Sequence, residues 1–231
     1  MKKLIWLYFL LFTSHLLVAQ SYRSASNPHY WKNRKPFDGY WQQDVEYKIK
    51  ARLDEKTDII SATEELTYYN NSPDTLKFVY FHLYQNAFQP GSYLDKMARE
   101  NGGMPKYGKY EVQKKNTEIV SITSNGNELS KEEDNTILKV YLTKQLLPND
   151  SVTFHITFNS YFDSGTQRRR MKMFNTYGYK HFDGVHWYPR MAVYDRKFGW
   201  CTDQHMEKEF YGDFGTYDVE LRHVSAFGGV V

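Results

Sequence analysis

Four side chains suited to metal ligation fall within one stretch of this chain: His181, His186, Cys201 and His205. Their spacings are five, fifteen and four residues. Structural zinc takes its ligands in short paired knuckles, and these spacings fit no such template. The competing reading is a histidine packed beside a loop and a cysteine filling a gap. Three acids, Asp163, Asp183 and Asp195, are of the type that works in pairs on glycosidic bonds. Sequence gives no separation between them. Arg168-Arg169-Arg170, with Met171, Met173, Phe174 and Tyr177 close behind, has the basic and aromatic make-up of a nucleic-acid groove. A solvated loop, or a surface that docks another domain, has the same composition. Trp187, Tyr188, Trp200 and Tyr211 would suit the face of a sugar, a peptide or a partner domain. None of these sets assigns a catalytic residue or a metal ligand.

Such residues need a scaffold, and composition limits which one. The chain has 231 residues, enough for one large domain with a good core. Aromatic residues make up 17%, with 20 tyrosines, which suits half-buried pleated surfaces and favours β structure. Lys2 and Lys3 precede an apolar run over residues 4–18, and Ala19-Gln20 offers a small-residue cleavage site. This is the pattern of a cleaved export signal over residues 1–20, and the run is short for a bilayer span of roughly 20 residues. A periplasmic or extracellular location follows as the expectation. Without Lys2 and Lys3 the basic residues number 28 against 27 acidic ones. So balanced a charge calls for neither nucleic acid nor an anionic membrane as partner. The single cysteine, Cys201, rules out an internal disulfide and reads as a small buried residue.

Residues 21–40 are polar and irregular and read as an N-terminal arm. Beyond them Val45, Tyr47, Ile49, Ala51 and Leu53 alternate with charged residues, the period of a half-buried strand. A second strand follows through Ile60, Ala62, Glu64, Leu66 and Tyr68, closed by Asn70-Asn71-Ser72-Pro73-Asp74. Residues 76–83 are apolar at both parities, as in a strand covered on both sides. Ser92 and Asp95 form a capping signature for one short helix, stopped by Gly102-Gly103 and Pro105. Residues 106–116 read as loop. Strands are predicted again over residues 117–123, through Leu138, Val140 and Leu142, and over 151–161. Val152, Phe154, Ile156 and Phe158 share one face of the last of these. Asn125-Gly126 is a hairpin turn signal. Tyr217, Val219 and Leu221 start a final strand. The sum is all-β: seven to nine strands in a curved, largely antiparallel sandwich or saddle, with one short helix near residue 94.

Three blocks carry a family resemblance. The first is the opening strand pair, from Tyr47 through Ile60 to Asn70-Asn71-Ser72, with two acids on its second strand. The second is the buried run ending in Leu83-Tyr84-Gln85-Asn86-Ala87-Phe88. The third is His186-Trp187-Tyr188-Pro189-Arg190-Met191-Ala192-Val193-Tyr194-Asp195, which leads to Tyr211-Gly212-Asp213-Phe214-Gly215. Their order resembles the N-terminal β domain of the aminopeptidase N family of zinc metallopeptidases, in its exported bacterial form. The resemblance spans residues 41–221. It implies that Asp195 is structural, and that the aromatic block faces a catalytic zinc domain and a peptide substrate.

The departures are as informative. The family binds zinc through His-Glu-x-x-His, whose Glu acts on the metal-bound water. None of the eight histidines here is followed by Glu. The Gly-x-Met-Glu-Asn strand that holds the substrate amine is also missing. Residues 222–231 do not continue as the family does, which predicts a reading frame broken just after Leu221. The expected role is therefore a non-catalytic domain, with zinc belonging to the absent partner domain. A stand-alone binding or scaffold module is the alternative.

Overall fold

The computed structural model describes residues 22–168, 171–206 and 211–224. Residues 1–20, where an export signal is expected, Arg169, Arg170 and the tail beyond residue 224 lie outside the described residues. The chain divides into two compact units, Met1–Tyr40 and Trp41–Val231. In the first, residues 22–40 hold a single 3-10 turn, Trp31–Asn33. The Asn33 amide donates to Ser24 O and Asn27 O, and edge-to-face rings link Tyr22, Tyr30, Trp31, Tyr40 and Phe37.

The second unit is built on two sheets. The larger contains β1 (Asp44–Asp54), β2 (Ile59–Tyr69), β4 (Thr117–Ser124), β5 (Asn127–Glu128), β8 (Ser151–Tyr161) and β14 (Thr216–Val224), in the order β14-β1-β2-β8-β4-β5. The smaller contains β3 (Leu76–His82), β6 (Lys131–Asp134), β7 (Ile137–Leu146) and β11 (Arg190–Met191), in the order β11-β3-β7-β6. A hairpin of β9 (Met171–Thr176) and β10 (Tyr179–Gly184) and a short pair of β12 (Tyr194–Asp195) and β13 (Gly199–Trp200) complete the strands. The all-β expectation holds. The strands among the described residues number fourteen rather than seven to nine: β5, β11, β12 and β13 have two residues each, too few to show a period, and β6, β9 and β10, of four to six residues, were not marked by alternation either.

Alternation along the strands becomes burial because one face of each sheet meets the other. Val45, Tyr47, Ile49 and Ala51 of β1, Leu66 and Tyr68 of β2, and Phe154, Ile156 and Phe158 of β8 share one core with Val79, Phe81, Leu138 and Val140 of the smaller sheet. Phe81 and Phe154 meet edge to face across it, with ring centres 5.6 Å apart. Burial of such side chains stabilises by roughly 1.5–3 kcal/mol each. The two-sided covering expected for residues 76–83 is not complete. Lys77 is exposed, and Phe78 and Tyr80 are half-buried beneath Lys139, whose Nζ stands 4.4 Å from the Phe78 ring centre. The aliphatic stem and charge of a lysine here do what a third layer would do elsewhere.

The predicted local signals are met. Ser92 Oγ accepts from Asp95 N at 3.0 Å and Asp95 accepts from Gly91 N at 2.8 Å, opening α1 (Tyr93–Glu100). Asn125 and Gly126 take φ of 51° and 76°, the left-handed pair of a type I′ hairpin. Residues 106–116 are not plain loop: they contain a 3-10 turn, Glu111–Gln113, whose Glu111 is wholly buried. The last strand, β14, runs parallel to β1, with Tyr47 opposite Tyr217, Ile49 opposite Val219 and Ala51 opposite Leu221. Its side chains continue the apolar face of β1, but at the sheet edge they stay about half exposed.

Candidate functional site

The segment after β10 joins the two sheets. Its Trp187 carbonyl accepts from Ser160 Oγ of β8. Three residues on, Arg190 and Met191 pair with His82 and Phe81 of β3 as β11, and Met191 N donates to Tyr47 Oη of β1 at 3.1 Å. Pro189 has no N–H to lose, so it suits the point where the chain leaves one sheet for the other. Residues 187–191 thus hold the end of the sandwich closed.

Tyrosines gather at this corner. Tyr47 stacks on Tyr217 with ring centres 4.7 Å apart and planes parallel to within 1°, and Tyr188 meets Tyr47 edge to face. The Tyr188 and Tyr217 hydroxyls lie 3.2 Å apart. Arg190 is half-buried beside them, and its Nη2 donates to Asp213 O at 3.2 Å. A Cβ on Gly212 would collide with that guanidinium, so glycine lets residues 211–215 close over it. Burial, with the charge of Asp195 adding to it, raises the pKa of Asp213 to about 7 against the opposing pull of Arg190.

Two buried groups near this corner lack hydrogen-bond partners. Glu64 occupies an inward position of β2, opposite Ile49 and Ile156, at 1% exposure, and neither carboxyl oxygen has a hydrogen-bond partner among the described residues. Burial pushes its pKa well above the usual carboxylate value, and Tyr47 and Tyr188 are its titratable neighbours. His82, at 3% exposure, stacks on Tyr84 with ring centres 4.7 Å apart, and neither ring nitrogen makes a hydrogen bond of normal geometry. Burial, then the charge of Arg190, lowers its pKa to about 4, against the opposing effect of the Cys201 backbone.

The metal-type residues are partly brought together. His186 and His205 both pack on Tyr84, at 4.7 and 5.8 Å between ring centres, beside His82. Cys201 is half-buried near Asp203, while His181 sits on the β9–β10 hairpin against Phe174. Among the described residues no three His, Cys, Asp or Glu side chains are arranged to hold a metal ion.

The three acids have separate structural duties. Asp163 is buried and accepts from Tyr110 N, Glu111 N and Ser164 N at 2.7–3.0 Å. Asp183 is half-buried on β10, opposite Lys172. Asp195 accepts from Lys197 N and Phe198 N and from the Tyr211 hydroxyl, which ties the turn after β12 to the segment before β14.

Arg168 corrects the reading of the basic triplet as a solvated or docking surface. Its side chain is 0% exposed and paired with Glu111. Nη1 donates to Gln85 Oε1, Tyr161 O and Met171 O at 3.0–3.1 Å, and Nη2 to Asn116 Oδ1. The forked guanidinium matches acceptors from four separated segments, which is what makes burial of its charge tolerable. The aromatic surface needs a similar correction. Trp187 and Trp200 pack against the core, the latter stacked on Tyr194 at 4.7 Å, while Tyr211 stays exposed against Phe198.

The sequence patterns did not single out Glu64, His82, Tyr84 or Arg190 as site residues, although Glu64 stands in the second strand and Tyr84 and Arg190 lie within the blocks of resemblance. An acid in an otherwise apolar parity was a visible signal for Glu64. Nothing local marked the other three.

No protein-family model matches this chain, and no curated protein matches it. Among solved structures it is similar to a mutant M1 zinc metallopeptidase from Deinococcus radiodurans bound to a Tyr-Ser-Ala substrate, at 13% identity and a TM-score of 0.44. That alignment covers 79% of this chain and 33% of the peptidase. Another M1 zinc metallopeptidase structure from Deinococcus radiodurans gives 12% identity, a TM-score of 0.44 and coverages of 79% and 32%. A two-domain M1 zinc metallopeptidase mutant bound to L-arginine gives 13%, 0.42, 80% and 33%. The chain spans about a third of the length of these structures. At these scores the all-β architecture rests on the strands themselves.

Proposed function

We propose that this chain is a non-catalytic β domain of an exported zinc metallopeptidase of the aminopeptidase N type, and that its Tyr188–Arg190 corner walls a peptide cleft. The observation that supports this is the placement of residues 187–195. The block that carries the sequence resemblance is also the segment that closes the end of the sandwich and gathers Tyr47, Tyr188, Tyr217 and Arg190. Tyr188 and Tyr217, whose hydroxyls meet at the exposed side with Tyr47 buried behind them, present apolar area and hydrogen-bonding tips together, which suits a peptide surface. The zinc, the general base and the amide hydrolysis belong in this reading to a companion domain. A stand-alone binding module is the second reading, favoured by a core that is continuous between both sheets.

The test is an assay of the purified chain with zinc on aminoacyl 4-nitroanilides, together with an NMR titration using a tripeptide with a free amine. The expected result is no turnover, with shifts centred on Tyr188 and Tyr217. Chelator-sensitive turnover would overturn the non-catalytic reading. A peptide response that avoids this corner would overturn the cleft.

A further inference from the structure

The opposite, solvent-side face of the larger sheet carries a polar groove unconnected with the peptidase reading. Two adjacent rows of side chains floor it: Arg52, Ser61 and Asn159 in one register, then Asp54, Ile59 and Tyr161 in the next. Thr57, in the turn between β1 and β2, closes one end. The cavity measures about 240 Å³. Drug-sized ligands occupy about 300–1,000 Å³, so this groove suits something nearer a single sugar ring.

Most polar groups here are already engaged. Asp54 accepts from Lys56 N and Thr57 N at 2.8 and 3.4 Å. The Tyr161 hydroxyl donates to Glu118 at 2.7 Å, and the Tyr110 hydroxyl donates to Thr57 O. Ser61 Oγ donates to Asn159 Oδ1 at 2.8 Å, which leaves the Asn159 Nδ2 hydrogens available. Arg52 has neither a hydrogen bond nor an ion pair among the described residues, although Arg222 beside it in the register is paired with Glu220 at 2.7 Å. Lys115 adds positive charge above the Tyr161 ring at 5.7 Å. The open groups are thus a guanidinium fork and an amide donor on one floor; Glu118 Oε2 is taken by Tyr161, and Asp54 receives both of its backbone donors on Oδ1.

We propose that this groove binds a small polyhydroxylated carboxylate, of the uronate type. Arg52 would take the carboxylate through two parallel N–H···O bonds, the geometry that guanidinium and carboxylate share. Asn159 Nδ2 and the free lone pairs of Ser61 Oγ would meet ring hydroxyls.

The test is a ¹H–¹⁵N NMR titration of the purified chain with D-galacturonate, with D-galactose and sulfate as controls at equal ionic strength. The expected result is saturable shifts at Arg52, Ser61, Asn159 and the 54–57 turn, at least tenfold weaker binding in Arg52→Gln, and no response to galactose. Arg52 is exposed, so a thermal melt of the variant should match the parent. Asn159→Leu provides a second variant and should also weaken binding. Three outcomes would overturn the proposal: no saturable shift, an equal response to sulfate, or undiminished affinity in Arg52→Gln.

Discussion

Replacing Glu64 should stabilise this protein, and the gain should grow with pH. The carboxyl is buried at 1% exposure with both oxygens unpartnered, between Ile49 and Ile156 on neighbouring strands. A buried polar group left without a hydrogen bond costs about 1–3 kcal/mol. Leucine at that position removes the polar group and keeps much of the volume, so Glu64→Leu should raise the unfolding free energy by about 1–3 kcal/mol at pH 5, before linkage adds to it. Proton linkage gives a second, separable effect. Burial raises the folded-state pKa well above the ordinary carboxylate value of 4.5 that the unfolded chain keeps. Above that value the unfolded chain has released its proton while the folded chain still holds it. Stability contributed by this group is therefore lost as pH rises, with a slope of up to about 1.4 kcal/mol per pH unit until the folded pKa is passed. Glu64→Gln keeps the shape and the unpartnered amide but cannot ionise, so it should remove the slope while gaining little at pH 5. The assay is urea unfolding of the three proteins at pH 5 to 9, read as differences from the parent so that other titrating groups cancel. A Glu64→Gln difference that stays flat with pH would refute the reasoning. So would a Glu64→Leu variant less stable than the parent at pH 7.

Arg168→Met should cost about 3–5 kcal/mol in the same unfolding experiment, because Glu111 would keep a buried charge without its partner; a loss below 1 kcal/mol would mean that the five acceptors relax onto water. His82, lowered to about 4 in the folded state by burial, contributes stability that is present above its ordinary value of 6.5 and is lost as pH falls from there toward 4. His82→Phe should therefore flatten the acid limb of the stability curve between pH 6.5 and 4, and an unchanged limb would count against a neutral buried imidazole. Ser92→Ala removes the N-cap of α1 and should cost about 1 kcal/mol, with loss of amide-exchange protection beginning at Asp95.

Much of the fold was legible locally. Period-two alternation placed the inward residues of β1, β2 and β8, because the pleat sends successive side chains to opposite faces whatever the strand pairs with. Asn125-Gly126 and the Ser92 cap were legible because backbone geometry at those positions depends on only a few residues. The candidate site was legible in part. Residues 187–195 stood out, and Asp195 proved to hold a turn, but the aromatic block did not reveal that Trp187, Tyr188 and Trp200 pack against the core while Tyr211 stays exposed.

What tertiary structure alone decided involves partners far apart in the chain. That β14 runs parallel to β1 follows from pairing across about 170 residues, and alternation is blind to strand direction. Arg168 looked like one of three surface cations. Its burial depends on Gln85, Glu111, Asn116 and Met171 converging on one guanidinium, which no local pattern encodes. His82, His186 and His205 surround Tyr84 only because β3, the segment before β11 and the segment after β13 end at the same place. Sequence determined which faces must be covered; the folded chain decided which polar groups found partners there, and left Glu64 and His82 without them.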